Sequence, residues 1–363
     1  MVASSYIGLL VTGALAVKSS NLRRASQSDY ITDTIDAVGV LQGYYDSSSG
    51  LWDGTGWWNS ANCLTVLADF GLLDSSFSQS FNIPGIISTT YENAQNTYSG
   101  FINDYYDDEG WWALACRYSL LLFFLFVWRL ITGDSTYLNE AISIFNDMEN
   151  GGSPCGGIWW DKAHTYTNAI ANELYLKVAA SLANRVPSSD KDTYLNVAQA
   201  QWNVFQQDGY INSENLINDG LTSSCTNNGE QTWTYNQGVI LGGLVELYKA
   251  NRDTSLLTSA SNIANAAISH LVQNGILYEG CEPSCGGDGE QFKGIFMRNL
   301  QELNAVAPSS TFSNFITANA DAIWADDNSN YHLGVTWDGP YTTGDAATQS
   351  SALDALVAAV AVS

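Results

Sequence analysis

Thr167-Asn168-Ala169-Ile170-Ala171-Asn172-Glu173-Leu174-Tyr175-Leu176-Lys177-Val178-Ala179-Ala180-Ser181-Leu182 decides the fold. Ile170, Leu174, Val178 and Leu182 recur at helical spacing as one stripe, and Ala171, Tyr175 and Ala179 form a second. A helix apolar on nearly every side must be buried on nearly every side. Five further segments share this character: a loop rich in Gly, Trp and Asp runs into a helix of Ala, Leu and Gly with few charges. The six open near Trp57, Asp108, His164, Thr232, Gln291 and Asp345. Between them lie amphipathic helices with ordinary polar faces, expected at 29–43, 85–103, 134–149, 190–207, 254–273 and 309–324. Ser188-Ser189-Asp190 and Pro308-Ser309-Ser310 read as N-caps. Buried helices alternating with amphipathic ones at intervals of about 50–70 residues predict an all-α, double-layered ring, an (α/α)6 barrel of six inner and six outer helices. A right-handed α-solenoid would show a stricter repeat of about 34–47 residues and no shared loop chemistry.

Composition narrows the chemistry. The 363 residues are 45% hydrophobic, enough for a large core, and only 14% charged. Thirteen Lys and Arg against 37 Asp and Glu leave a net charge of −24. Such a chain repels phosphate backbones, so no nucleic-acid partner is expected. No apolar run approaches the roughly 18 residues of a membrane span, so no transmembrane segment is expected either. Twelve Trp, 19 Tyr and 31 Gly with few charges suit a sugar-binding cleft, because sugars offer apolar C–H faces and many hydroxyls. The plainer alternative is that the aromatics fill a large helical core.

Residues 1–24 read as a signal peptide with a short pro-segment. An apolar stretch at Tyr6 to Val11 leads to Ala14-Leu15-Ala16, and the dibasic Arg23-Arg24 would place the mature start near Ala25. A secreted protein is therefore expected, with residues 25–363 as one catalytic domain. Six cysteines (63, 116, 155, 225, 281 and 285) fit disulfides in an oxidising compartment. Cys225 is expected to pair with Cys281 or Cys285, since all three lie in Gly/Asn-rich loops. The sequence contains no N-x-[ST] acceptor for N-glycosylation.

The loops entering the inner helices carry the candidate site. Trp57-Trp58-Asn59, Trp111-Trp112 and Trp159-Trp160-Asp161 repeat paired tryptophans beside polar residues. All six loops would meet at one rim, making a cleft with stacking faces and hydrogen-bonding edges. Candidate sugar contacts are Trp58, Asn59, Asn62, Trp111, Trp112, Trp160, Asp161, Asn168, Tyr235, Asn236, Gln237, Lys293 and Asp345. Asp161 and Asp345 read equally well as helix N-caps; Lys293 could be a surface lysine, but its loop placement favours the cleft. Asp107-Asp108 reads as a catalytic pair or as the acidic first turn of a helix favoured by the macrodipole. Two carboxyls in one aromatic pocket push their pKa values apart, leaving a nucleophile and an acid, as glycoside cleavage requires. A magnesium-binding DDxxD motif fails at its fifth position, which is Trp111. Neither a metal nor a cofactor is expected: the three histidines are scattered, and Asp326-Asp327-Asn328-Ser329-Asn330 lacks the Gly and closing Glu of a calcium loop.

Taken together, these motifs resemble fungal members of glycoside hydrolase family 76, the endo-α-1,6-mannanases, over about residues 30–361. The resemblance rests on Trp57 to Asn62, Asp107-Asp108-Glu109-Gly110-Trp111-Trp112-Ala113-Leu114-Ala115 and Cys155-Gly156-Gly157-Ile158-Trp159-Trp160-Asp161-Lys162. It continues through Thr167 to Leu174, Trp233 to Gly238 and Phe292 to Arg298. It implies an (α/α)6 fold, cleavage of internal α-1,6-mannosidic linkages, Asp107 as nucleophile and Asp108 as general acid/base. Some fungal relatives are GPI-anchored cell-wall transglycosidases, which makes mannose-containing cell-wall glycans the alternative substrate. A mannan-binding protein without turnover, or an inverting glycosidase of another family, are the remaining alternatives.

Two departures stand out. Leu356 to Val362 completes the last inner helix, so no GPI spacer and tail are expected. The run Cys116 to Ile131, with eight consecutive apolar residues from Leu120, interrupts the helix that carries the aspartate pair. It reads as a gene-model fault or an insert.

Overall fold

The computed structural model describes residues 25–117, 135–327 and 330–363. The leader at 1–24 and all but the first two residues of the 116–131 segment lie outside that description. Among the described residues, twelve longer helices build the body. The outer ones are α1 (Gln27–Gln42), α3 (Ile83–Asn93), α5 (Thr136–Met148), α7 (Lys191–Gln207), α9 (Ser255–His270) and α11 (Ser310–Ala325). The inner ones are α2 (Trp57–Leu73), α4 (Tyr106–Arg117), α6 (Ala169–Ala183), α8 (Thr234–Asn251), α10 (Phe292–Val306) and α12 (Ala346–Val362). Each inner helix packs on the next, α2 to α4 to α6 to α8 to α10 to α12, and α12 packs back on α2. That last contact closes the ring, so the fold is an (α/α)6 barrel and not an open solenoid.

The sequence pattern accounts for the layering. Every residue of α6 except Tyr175 is buried, and Tyr175 turns outward to stack on Phe145 of α5 at 5.4 Å. Outer helices bury one stripe only, as with Leu138, Ala141, Ile144, Phe145 and Met148 of α5. Small residues let the inner helices approach. A Cβ on Gly238 would lie 2.6 Å from the backbone of Phe296, and one on Gly294 would lie 2.4 Å from that of Ser351. Any larger residue there would force α8, α10 and α12 apart.

Two cations in the barrel interior are paired with carboxylates. Arg298 of α10 meets Asp354 of α12 at 3.1 Å and donates to Asn62 of α2 at 2.6 Å. Lys177 of α6 pairs with Glu302 of α10 at 3.3 Å. A buried charge without such a partner would be strongly destabilising.

Three expected boundaries move. α6 begins at Ala169 rather than near His164, because Asn168 caps it by accepting from the Ala171 N–H. α3 stops at Asn93, and the chain continues as 3-10 turns at 94–96 and 99–101 with Gly100 left-handed (φ 66°). α9 stops at His270, and Val272–Gln273 pairs antiparallel with Ile276–Leu277. The disulfide expectation also fails. Cys225 bonds Cys155, tying the loop before α6 to the loop before α8, and Cys281 bonds Cys285 within one short loop. Closeness in space across the ring, rather than likeness of loop composition, chose the partners. Among the described residues, no helix is long and apolar enough to cross a membrane.

Candidate active site

Asp107 and Asp108 occupy the second and third positions of α4, where the first-turn N–H groups have no intrahelical partners. The start of α4 is stitched to the loop before α6: the Tyr106 N–H donates to the Trp160 carbonyl at 2.9 Å, and the Lys162 N–H donates to the Asp104 carbonyl at 3.0 Å. This stitching brings the Trp160 indole N–H to Asp107 Oδ2 at 3.0 Å, while the Asp108 backbone N–H lies 3.1 Å from Asp107 Oδ1. Asp108 Oδ2 accepts from the Asn103 amide at 2.8 Å. Asn103 is held in that orientation because its Oδ1 accepts the Tyr105 N–H at 2.9 Å.

Both carboxyls face a cavity of about 490 Å³ at the N-terminal rim of the inner helices. Trp58, Trp111, Trp160, Asn168 and Tyr235 line it with them, as do Tyr105, Tyr166, Asp219, Asp288 and Phe292. Trp58 and Trp111 stack at 5.6 Å, and Tyr235 stacks on Phe292 at 3.8 Å. Asp219 accepts from the Tyr166 hydroxyl at 2.7 Å. The cleft therefore has two aromatic walls and four carboxyl groups.

The other candidates stand elsewhere. Asn59 reaches the Gly287 carbonyl at 3.4 Å, Asn62 serves Arg298, and Trp112 is buried against Trp57 and Phe101. Asp161 accepts from Thr165, and Asp345 caps α12 in a reciprocal capping box with Thr348. Gln237 clamps both backbone groups of Ile217, and Asn236 is wholly buried. Lys293 is buried in an ion pair with Glu282 at 2.7 Å and sits over the Trp337 ring at 4.4 Å.

Five cavity residues escaped the sequence reading. Tyr105 and Tyr166 lie beside quoted motifs and Phe292 inside one, so an aromatic next to a candidate residue is the available signal. Asp219 sits in Asn218-Asp219-Gly220, far from any inner-helix start, and Asp288 in Gly287-Asp288-Gly289, shortly before α10, where an acidic residue between loop residues is unremarked.

Burial pushes both catalytic candidates up. Asp108 rises to about 7, with the Asn103 amide opposing and the charge of Asp288 adding to the rise. Asp107 rises well above the ordinary carboxyl value, first by burial and then by the charge of Asp108. The Trp160 indole and the Asp108 N–H act to lower Asp107, but burial and the neighbouring carboxyl outweigh them. These shifts belong to the pair, which retains a proton at neutral pH.

The Glycosyl hydrolase family 76 model matches residues 31–362. The chain belongs to that family. A mannan endo-1,6-alpha-mannosidase of Saccharomyces cerevisiae is 26% identical to this family 76 chain over 90% of it and 77% of the yeast protein. Among solved structures, an α-1,6-mannanase of Salegentibacter sp. HEL1_6 superposes with a TM-score of 0.77 at 22% identity, covering 92% of this chain and all of the other. That protein is an inactive variant with two neighbouring aspartates changed to asparagine, bound to α-1,6-mannotriose. Dfg5 from Chaetomium thermophilum, in complex with glucosamine, gives a TM-score of 0.78 at 15% identity, covering 94% and 92%. This family 76 chain is thus a glycosidase by descent, with an adjacent carboxyl pair in an aromatic cleft.

Proposed function

We propose that this family 76 glycosidase cleaves internal α-1,6-mannosidic linkages of mannan with retention of anomeric configuration. The observation that carries the reading is the unequal support of two adjacent carboxyls: two N–H donors point at Asp107 and one amide at Asp108. In this reading the two donors favour the ionised form of Asp107 against the rise that burial and the charge of Asp108 impose on it, and the proton of the half-protonated pair is assigned to Asp108. Asp107 attacks the anomeric carbon, the glycosidic C–O bond breaks, and Asp108 gives its proton to the leaving oxygen. Asp108 then takes a proton from water, whose oxygen displaces Asp107 from the sugar. The stacked Trp58–Trp111 pair and Trp160 offer faces to the sugar rings. The yeast mannosidase and the mannotriose-bound mannanase support the choice of α-1,6-mannan. Two disulfides support an oxidising, extracellular or cell-wall location.

A second reading is transglycosylation onto a cell-wall glycan that contains mannose and glucosamine. The glucosamine-bound relative and the four cleft carboxyls favour it. Incubation with unbranched α-1,6-mannan, with anomers followed by NMR, tests both. Retained-anomer fragments are expected, and first release of the inverted anomer would refute the mechanism. An added glucosamine-containing acceptor that captures mannosyl groups faster than water would favour the second reading.

A further inference from the structure

One cleft wall comes from a loop that the catalytic chemistry above leaves unused. Residues 281–291 leave the rim through the Cys281–Cys285 disulfide, make one short turn at Gly286–Gly289, and return into α10. The loop is pinned at both ends. Beneath it Lys293 pairs with Glu282, both almost fully buried, and Glu282 also accepts the Glu279 N–H at 2.7 Å. At its return, Gln291 takes part in hydrogen bonds with Ser350 and Ser351 of α12. A Cβ on Gly289 would meet Cys285 Cβ at 3.0 Å and Cys281 Sγ at 3.1 Å, so the disulfide packs directly on the turn. The loop thus holds Asp288 over the cavity. Asp288 Oδ1 accepts the Trp58 indole N–H at 2.8 Å, and the Gly287 carbonyl accepts the Asn59 amide at 3.4 Å.

We propose that Asp288 is a specificity-determining residue of this cleft: one oxygen locks the Trp58 indole in its stack with Trp111, and the other takes a hydroxyl of the sugar lying on that stack. The inference rests on the glycosidase reading above and adds to it a residue outside the catalytic pair. An unanchored indole rotates about two side-chain bonds, and a stacking face is worth most when it is fixed before the sugar arrives. The second Asp288 oxygen makes no hydrogen bond among the described residues. Asp288 lines the same cavity as the aspartate pair, and its charge adds to the proton affinity of Asp108.

Asp288→Asn and Asp288→Ala separate the two contributions. Asparagine keeps an oxygen for the Trp58 N–H and removes the charge, whereas alanine removes both. With an α-1,6-mannooligosaccharide, Asp288→Ala is expected to raise KM about tenfold, the loss appropriate to a hydrogen bond with a charged group. Asp288→Asn is expected to hold KM within about threefold and to move the alkaline limb of the kcat/KM profile down by about half a pH unit, because Asp108 loses a neighbouring negative charge. The double variant Cys281→Ser/Cys285→Ser, with Asp288 intact, is expected to raise KM severalfold at unchanged pH limbs. Wild-type KM in the alanine variant overturns the proposal, and so does an alkaline limb unmoved in both Asp288 variants. A wild-type protein that does not turn over mannan refutes the substrate reading itself. Loss confined to Asp288 variants of an active enzyme cannot be mistaken for that.

Discussion

The second and fourth residues of the inner helices stand at one rim, yet they serve different neighbours. Second residues meet the cavity in three of the six, Trp58 in α2, Asp107 in α4 and Tyr235 in α8, while Ile170, Lys293 and Ala347 are buried away from it. Fourth residues turn back and hold the loop that precedes them. Ser60 accepts the Trp52 N–H at 3.1 Å, and Glu109 accepts the Asn103 N–H at 3.1 Å. Asn172 takes both backbone groups of Ile158, Gln237 takes both of Ile217, and Gln349 takes the Leu333 N–H and the Tyr331 carbonyl. Two residues along a helix are about 200° around its axis, so one side chain faces the mouth and the other faces the incoming chain. Ile295 breaks the series in α10, where the Lys293–Glu282 ion pair fastens the loop instead. The difference teaches that a polar residue at this rim faces the cavity or the incoming backbone according to its helical phase.

The largest effect expected from this division is at Asp107. Asp107→Asn removes the proposed nucleophile without removing a loop clamp, so kcat should fall about 10³-fold or more while the melting temperature holds or rises. Asp108→Asn should lose about 10²–10⁴-fold on mannan and less on substrates with activated leaving groups, which need little protonation. Near wild-type turnover by either variant would place the chemistry elsewhere.

Gln237→Ala should do the reverse. It leaves a buried N–H and a buried carbonyl of Ile217 without partners, at a cost of about 2–4 kcal/mol in unfolding free energy. At temperatures where the variant stays folded, kcat and KM should lie within about threefold of wild type. Chemical denaturation and steady-state kinetics read the two quantities separately. A stable variant with lost turnover would collapse the distinction between second and fourth positions.

Trp160→Phe tests the support of the proposed nucleophile, Asp107. Losing the indole donor raises the proton affinity of Asp107, so the acidic limb of the kcat/KM profile should move to higher pH and kcat should fall about tenfold. An unmoved acidic limb would remove Trp160 from that role.

Helical phase also explains how much was legible beforehand. Buried and amphipathic helices alternate in the hydrophobic pattern itself, so the ring could be read from residues such as Ile170, Leu174 and Val178. The aspartate pair and its tryptophans stood out because their loops repeat. Gln237, Asn62 and Lys293 carry the same residue chemistry in the same loops, and composition does not reveal which way a side chain points. Asn62 answers to Arg298, which is 236 residues away, and Lys293 answers to Glu282 on its own loop. Asp219 and Asp288 reach the cavity through loop geometry that no periodicity encodes. The Cys155–Cys225 bond joins two loops 70 residues apart, which only the closed ring brings together.

The smallest expected effect concerns pH and stability, and it contrasts cleft with interior. Burial raises Asp108 and Glu279 to about 7, and Glu109 and Asp354 to about 8, although Lys162 and Arg298 oppose the last two rises. In the unfolded chain these groups titrate near 3.8 or 4.5. Between those values and 7 to 8 the folded state binds more protons than the unfolded one, so stability falls as pH rises across that window. The melting temperature should therefore be higher at pH 5 than at pH 8. Self-repulsion in a chain of net charge −24 acts in the same direction, but added salt screens it. Asp108→Asn isolates the buried carboxyl, since asparagine has no proton to lose. At high salt this variant should gain about 1–3 °C over wild type at pH 8 and much less at pH 5. An equal gain at both pH values would mean that Asp108 is ionised throughout, and the proton assigned to it for the leaving group would have no source there.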